Sequence, residues 1–236
     1  MRTPLLLWCL ALGCALGWAC SAPGSSSVPP ESQVAAPPEP ASATTLSERR
    51  PEIVILGDSL TAGLGLDSTQ SFPALIQQRL DERGLRFQVV NAGVSGDTSA
   101  GGLRRLEWAL EGNPRVLIVA LGGNDALRGL PIEDLERNLT AIIERGKREG
   151  LVVILAGMEA PPNNGPEYTA RFRRVYRDLA SAHDVVLIPF LLEGVAGEAA
   201  FNQADGIHPN EEGARLVADT VWRALEPVLK AAAGTR

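Results

Sequence analysis

Past residue 20 the chain has no cysteine: Cys9, Cys14 and Cys20 are the only three among its 236 residues. Disulfides and thiolate catalysis are therefore excluded from whatever folds downstream. Histidine is almost as scarce, with only His183 and His208, and two imidazoles without sulfur make a poor zinc site. Any imidazole catalyst must be one of those two. Positive charge is also in deficit, since 22 Lys and Arg face 28 Asp and Glu for a net charge of −6. Arg2, Arg49 and Arg50 cancel Glu31, Glu39 and Glu48, so the whole imbalance belongs to residues 51–236. An acidic body offers no electrostatic footprint to a phosphate backbone, which excludes nucleic acid as the expected partner. The one long apolar run, residues 5–19, falls short of the roughly 20 residues a membrane-spanning helix needs.

What is present begins with an address. A basic Arg2 followed by that short apolar run reads as a secretory signal, residues 1–20. Its end, Gly17-Trp18-Ala19-Cys20-Ser21, resembles the bacterial lipoprotein signal, which implies a lipidated Cys20 as the mature first residue; the alternative is an ordinary cleaved signal. Either places the protein outside the cytoplasm, periplasmic or membrane-anchored in the first case, secreted in the second. Residues 21–50 hold six prolines, seven serines, five alanines and no aromatic. Such a segment buries too little apolar surface to offset its ordering entropy and is expected to be a disordered tether.

From residue 51 onward, with 45% hydrophobic and 21% charged residues over the whole chain, the pattern is globular. Short aliphatic runs at 53–56, 87–90, 116–121, 151–156 and 185–188 alternate with amphipathic stretches. The clearest helix carries Ile132, Leu135, Leu139, Ile142 and Ile143 on one face and stops before Gly150. The last starts from Asn210 as N-cap, with Val217, Val221, Leu225 and Leu229 spaced by four. Strands alternating with helices predict an α/β fold with an open parallel sheet covered on both faces.

Ligands in such sheets gather beyond the carboxyl ends of the strands. There the sequence offers Gly57-Asp58-Ser59, where a strand-to-helix turn can present a hydroxyl and its own N–H. It offers the glycine-containing stretch from Asn91 to Ser99, where a backbone N–H can approach a substrate closely. Next comes Gly122-Gly123-Asn124-Asp125, whose asparagine amide suits an oxyanion. Last is Asp205-Gly206-Ile207-His208, where a carboxylate three residues before an imidazole can orient it. Singly each has a plain structural reading as a turn or cap. Together they make one nucleophile, oxyanion donors and one oriented base. His183, at a helix end, reads as a dipole partner. Asp58 and Asp97 read as organisers of their loops, Trp108 and Trp222 as helix packing.

The blocks "ILGDSLTAGLGL", "NAGVSGDTSAGGLRRL", "VALGGNDALRGL" and "DGIHPNEEGARLVAD", in this order, resemble the SGNH or GDSL-type hydrolases, most closely the bacterial acyl-CoA thioesterase I, lysophospholipase and arylesterase group. The resemblance runs from about residue 52 to about residue 229. It implies a three-layer flavodoxin-like fold with strand order 2-1-3-4-5, no cofactor and no metal, and small-molecule ester, thioester or lysophospholipid substrates. It further implies Ser59, Asp205 and His208 as catalytic residues, with the N–H groups of Ser59 and Gly93 and the Asn124 side chain as oxyanion hole. Residues 158–165 depart from the family's composition, at a loop that contacts substrate in the relatives. Two other readings stand beside the esterase: a carbohydrate or small-molecule acetylesterase on the same fold, and a noncatalytic binder, for instance of a flavin at the sheet's switch point. With His208 as a base that must be neutral, activity is expected to rise with pH through one ionisation.

Overall fold

The computed structural model describes residues 50–234; the expected signal, Cys20 and all of the tether but Arg50 lie outside the described residues. Five strands form one parallel sheet in the order β2-β1-β3-β4-β5, as the motif resemblance implies. They are β1 (Glu52–Gly57), β2 (Gln88–Gly93), β3 (Pro114–Ala120), β4 (Val152–Ala156) and β5 (Val186–Ile188). The interior strand β1 is apolar without alternation, and Ile53, Val54, Ile55 and Leu56 are all fully buried, the signature of a strand covered on both faces. The second strand runs three residues beyond the aliphatic stretch 87–90, taking in Asn91, Ala92 and Gly93, because parallel pairing with β1 continues to Gly57.

Eight α-helices pack around the sheet among the described residues: α1 (Ser59–Ala62), α2 (Phe72–Glu82), α3 (Ser99–Arg104), α4 (Leu106–Ala109), α5 (Gly123–Leu127), α6 (Ile132–Arg148), α7 (Pro166–His183) and α8 (Glu211–Gly234). Helix α6 buries Ile132, Leu135, Leu139, Ile142 and Ile143, the predicted face, and packs with α3 and α7. Helices α2 and α8 pack against each other, and the Asn210 side chain caps α8 by accepting from Gly213 N–H at 3.0 Å. At that junction Trp222 is buried beneath the guanidinium groups of Arg79 and Arg83, 5.5 and 4.8 Å from its ring, a cation–π arrangement. Trp108 corrects the expectation of helix packing. The short α4 buries Leu106 and Ala109, which leaves Trp108 pointing outward, 61% exposed.

The register positions the site. Gly57 pairs with Gly93 on one side and Ala120 on the other, so β1, β2 and β3 end side by side. The residues that follow them, from Asp58, Val94 and Leu121, emerge at one edge of the sheet.

Candidate active site

Ser59 opens α1, and the preceding Asp58 caps that helix by accepting from Leu60 N–H at 3.0 Å. A sharp strand-to-helix turn at this point requires a small residue at 57: a Cβ there would stand 1.9 Å from Thr61 Oγ1. The turn leaves Ser59 buried, at 9% exposure, with its Oγ 2.8 Å from His208 Nε2. The other ring nitrogen, Nδ1, is 2.6 Å from Asp205 Oδ2. An ionised carboxylate can only accept, so Nδ1 carries the proton and Nε2 is left to accept from the serine hydroxyl. Ser59, 149 positions before His208, thus forms one hydrogen-bonded line with it and with Asp205.

The Asp205 carboxylate is built by its own loop. Its second oxygen accepts from the N–H groups of Ile207 and His208 at 2.9 and 3.0 Å. The bond from the His208 ring and these two backbone donors hold its pKa down to about 2, so it is ionised well below neutral pH. His183, by contrast, ends α7 at the amino-terminal side of β5, the opposite end of the sheet from the site, where its carbonyl accepts from Lys147 Nζ.

Asn124 projects from α5 and uses both amide hydrogens, one on the carbonyl of Asp97 at 2.9 Å and one on Asp58 Oδ2 at 3.2 Å. Behind it, the buried Asp125 accepts from Ser99 N–H at 2.8 Å and Ser99 Oγ at 2.5 Å, tying α5 to the start of α3. Asp58 is 2% exposed. Burial pushes its pKa up to about 6, against the lowering effect of the Leu60 N–H, the nearby His208 and the Asn124 bond. Asp58 and Asp97 are organisers of their loops, as their turn positions suggest.

The glycine assigned to the oxyanion hole needs correction. The Gly93 N–H donates to Asn91 Oδ1 at 3.0 Å, and a Cβ at 93 would lie 2.3 Å from Ala62 N. Residue 93 is glycine because α1 packs directly on it, and its amide is engaged. Three residues on, Gly96 has φ +83° in a turn closed by Asp97 N–H to the carbonyl of Val94. Among the described residues its N–H has no acceptor, and neither does that of Ser59. The next residue, Asp97, is the one whose carbonyl Asn124 holds. Sequence reasoning passed over Gly96, although a glycine at the third position of the Val94–Asp97 turn signals a left-handed residue whose amide is free to face outward.

A small pocket adjoins Ser59 and His208, lined by Leu60, Leu64, Phe72, Ala214 and Val217. Large exposed hydrophobics gather at the same edge: Leu64, Val94, Leu127 and Ile207 all lie on the loops and helix ends that carry the site, and only Trp108, Val152 and Val186 lie elsewhere among the described residues. No group of three or more His, Cys, Asp or Glu side chains suited to a metal ion occurs among the described residues.

Residues 55–216 match the GDSL-like Lipase/Acylhydrolase family. The chain belongs to that family. It is 45% identical over 178 residues to Esterase TesA of Pseudomonas aeruginosa, a match covering 75% of this chain and 89% of that protein. It is 38% identical over 178 residues to Thioesterase 1/protease 1/lysophospholipase L1 of Escherichia coli, covering 75% and 84%. The crystal structure of TesA superposes with a TM-score of 0.72 and 45% identity, covering 75% of this chain and 98% of the other. With this family, fold and degree of identity, the protein is a serine esterase of the SGNH type, a carboxylic ester hydrolase acting on small-molecule substrates.

Proposed function

We propose that Ser59 is the nucleophile of a two-step acyl transfer to water, with His208 as its base and Asp205 holding the imidazole in the required tautomer. The observation that carries this reading is the continuous line Asp205–His208–Ser59 at 2.6 and 2.8 Å. His208 Nε2 takes the hydroxyl proton as Ser59 Oγ bonds to the ester carbonyl carbon. The resulting oxyanion lies against the N–H groups of Ser59 and Gly96 and the Asn124 amide. Asn124 frees a hydrogen for it by yielding its longer bond, that to Asp58. The imidazolium returns the proton to the leaving oxygen as its bond to carbon breaks. Water then repeats the sequence on the acyl-enzyme, releasing the acid and restoring Ser59.

The preferred substrates in this proposal are esters with substantial apolar parts, of the lysophospholipid or aryl ester kind, rather than acetylated sugars. The pocket beside Ser59 has no acidic or basic side chain in its lining other than the His208 imidazole, and the four exposed aliphatic side chains on the site's loops would have to be desolvated against something apolar. A thioester carbonyl fits the same machinery. The signal at residues 1–20, lipidation of Cys20 and the tether at 21–50 remain part of this proposal. They would hold the domain outside the cytoplasm, where lysophospholipids and other extracytoplasmic esters, and not cytoplasmic acyl-CoA, are within reach.

Labelling with a fluorophosphonate tests the core of it: one equivalent on the wild-type protein and none on Ser59→Ala. Retained labelling of that variant would remove Ser59 from the chemistry. A panel of lysophosphatidylcholine, phenyl acetate, palmitoyl-CoA and acetylated xylan tests the substrate class, and a kcat/KM highest on the xylan would reverse the preference. Mass analysis of the native amino terminus, expected to begin at a diacylglyceryl Cys20, tests the anchor.

A further inference from the structure

We infer that Arg105 is a positioning residue whose guanidinium locks the Ser59 turn to the Gly96 loop, so that nucleophile and oxyanion donors keep one fixed spacing. The inference rests on the roles proposed above for Ser59 and Gly96. Arg105 is the C-cap of α3, and its side-chain hydrogen bonds go to neither of those residues. Its Nε donates to Asp97 Oδ2 at 2.6 Å and its Nη2 to the carbonyl of Gly57 at 2.7 Å. One planar group therefore joins the end of β1, two residues before Ser59, to the residue after Gly96.

These bonds close a ring. Asn124 links the Asp97 carbonyl to the Asp58 carboxylate, and Asp58 follows Gly57 in the chain. Until Asn124 yields its bond to Asp58, Gly57, Arg105, Asp97, Asn124 and Asp58 form a circuit in which every strand-end loop bearing a proposed Ser59 or oxyanion group is tied to the other two, and the Arg105 link between Gly57 and Asp97 does not depend on that bond. Room for it is made in the sequence: a Cβ at Gly101 would stand 2.4 Å from Asp97 Oδ1, so only glycine there admits the carboxylate.

Stability alone accounts poorly for the arrangement. The side chains of Arg105 and Asp97 are 16% and 18% exposed, and an ion pair withdrawn this far from water gains little over apolar packing of the same volume. Arg105 Nη1 is buried with no partner among the described residues, which adds an uncompensated donor. A lysine would supply the charge without the fork that reaches two acceptors in fixed geometry. A rigid spacing between nucleophile and oxyanion donors is what such a fork adds, and a misplacement of about 1 Å can cost a rate factor of roughly 100.

The test is made on the full chain with Arg105→Lys, Arg105→Ala, Asp97→Ala and, as a control, Arg145→Met, which removes the ion pairs of Arg145 with Glu107 and Glu149. Arg105→Lys is expected to lower kcat and the fluorophosphonate labelling rate by about 10- to 100-fold, with KM within threefold. Added guanidinium is expected to restore a large part of kcat to Arg105→Ala while leaving its melting temperature, and the kcat of wild type and Arg145→Met, unchanged. A folded Arg105→Lys with kcat within twofold of wild type overturns the inference, as does a loss that follows the unfolded fraction and returns only as guanidinium restores the fold. Should the Arg105 variants not fold, Asp97→Ala carries the question, with the same kcat loss expected and wild-type kcat overturning it. None of these outcomes touches the assignment of Ser59, which stands or falls on the labelling of Ser59→Ala.

Discussion

Two carboxylates sit close to the Ser59–His208 pair, Asp58 one residue before Ser59 and Asp205 three residues before His208, and the fold treats them in opposite ways. Asp205 lies on an exposed loop, gathers two backbone N–H groups and the imidazole, and has its pKa lowered to about 2. Asp58 is buried beneath the sheet edge, and loss of water raises its pKa to about 6 although it too accepts hydrogen bonds. Hydrogen bonding governs one and desolvation the other. The difference divides their work. The exposed acid keeps a negative charge against the imidazole, as the proposed role of Asp205 requires, and the buried one is an acceptor that fixes geometry.

The sharpest way to break that division is to remove the imidazole, or the charge that holds it. His208→Ala should lower kcat by about 10⁴-fold or more, since a nucleophile and its base act as a unit. Asp205→Asn keeps the loop's shape but permits the wrong ring tautomer, and a loss of up to about 10⁴-fold is expected. Steady-state kinetics on one aryl ester measure both. An Asp205→Asn enzyme within tenfold of wild type would mean that the imidazole is oriented without Asp205. Next in size is Asn124→Ala, for which the loss of one oxyanion donor predicts a kcat about 100- to 1000-fold lower. Because Asn124 also braces Asp58 and Asp97, a matching rise in KM would indicate that the loops had moved.

Most of the fold and much of the site were legible because they rest on local patterns. The unbroken apolar runs of β1 and β3 announce buried parallel strands, and the spacing of Ile132, Leu135, Leu139 and Ile142 announces the inner face of α6. Asp205 and His208 were readable for the same reason, since three residues in one loop decide their contact. The order of the strands, by contrast, came with the motif resemblance. Gly93 and Gly96 show where local reading ends. Both follow a strand and both look able to offer an amide, but only tertiary contacts, the packing of α1 on Gly93 and the bond from its N–H to Asn91, separate a packing glycine from one with a free donor. Trp108 misled similarly, because a helix of four residues buries two positions and gives no period from which to read a face. The brace of Arg105 depends on the contact of its guanidinium with Gly57, 48 positions earlier, and nothing in the spacing of charges foretells it.

The smallest effect expected is on stability, and it puts the two carboxylates in direct opposition. Asp58 binds its proton more tightly in the folded protein, at about 6 against an ordinary 3.8, so its contribution is full below pH 3.8 and is lost as pH rises through 6. A shift of that size amounts to about 2–3 kcal/mol. Asp205 works in the other direction: its folded pKa is depressed, so its contribution is present above pH 3.8 and disappears as pH falls toward 2. Urea melts across the pH range should accordingly show wild type losing stability from pH 4 to 7 through Asp58. Asp58→Asn should flatten that slope, even though the exchange sets an amide donor against Asn124. A variant slope equal to that of wild type would show that another group carries the proton. Above pH 6 the protein carries Asp58 ionised against the cost of its burial. The ionised form is the one that accepts Leu60 N–H and the Asn124 amide together, so the strain of a buried charge is borne where the geometry of the Ser59 turn is set.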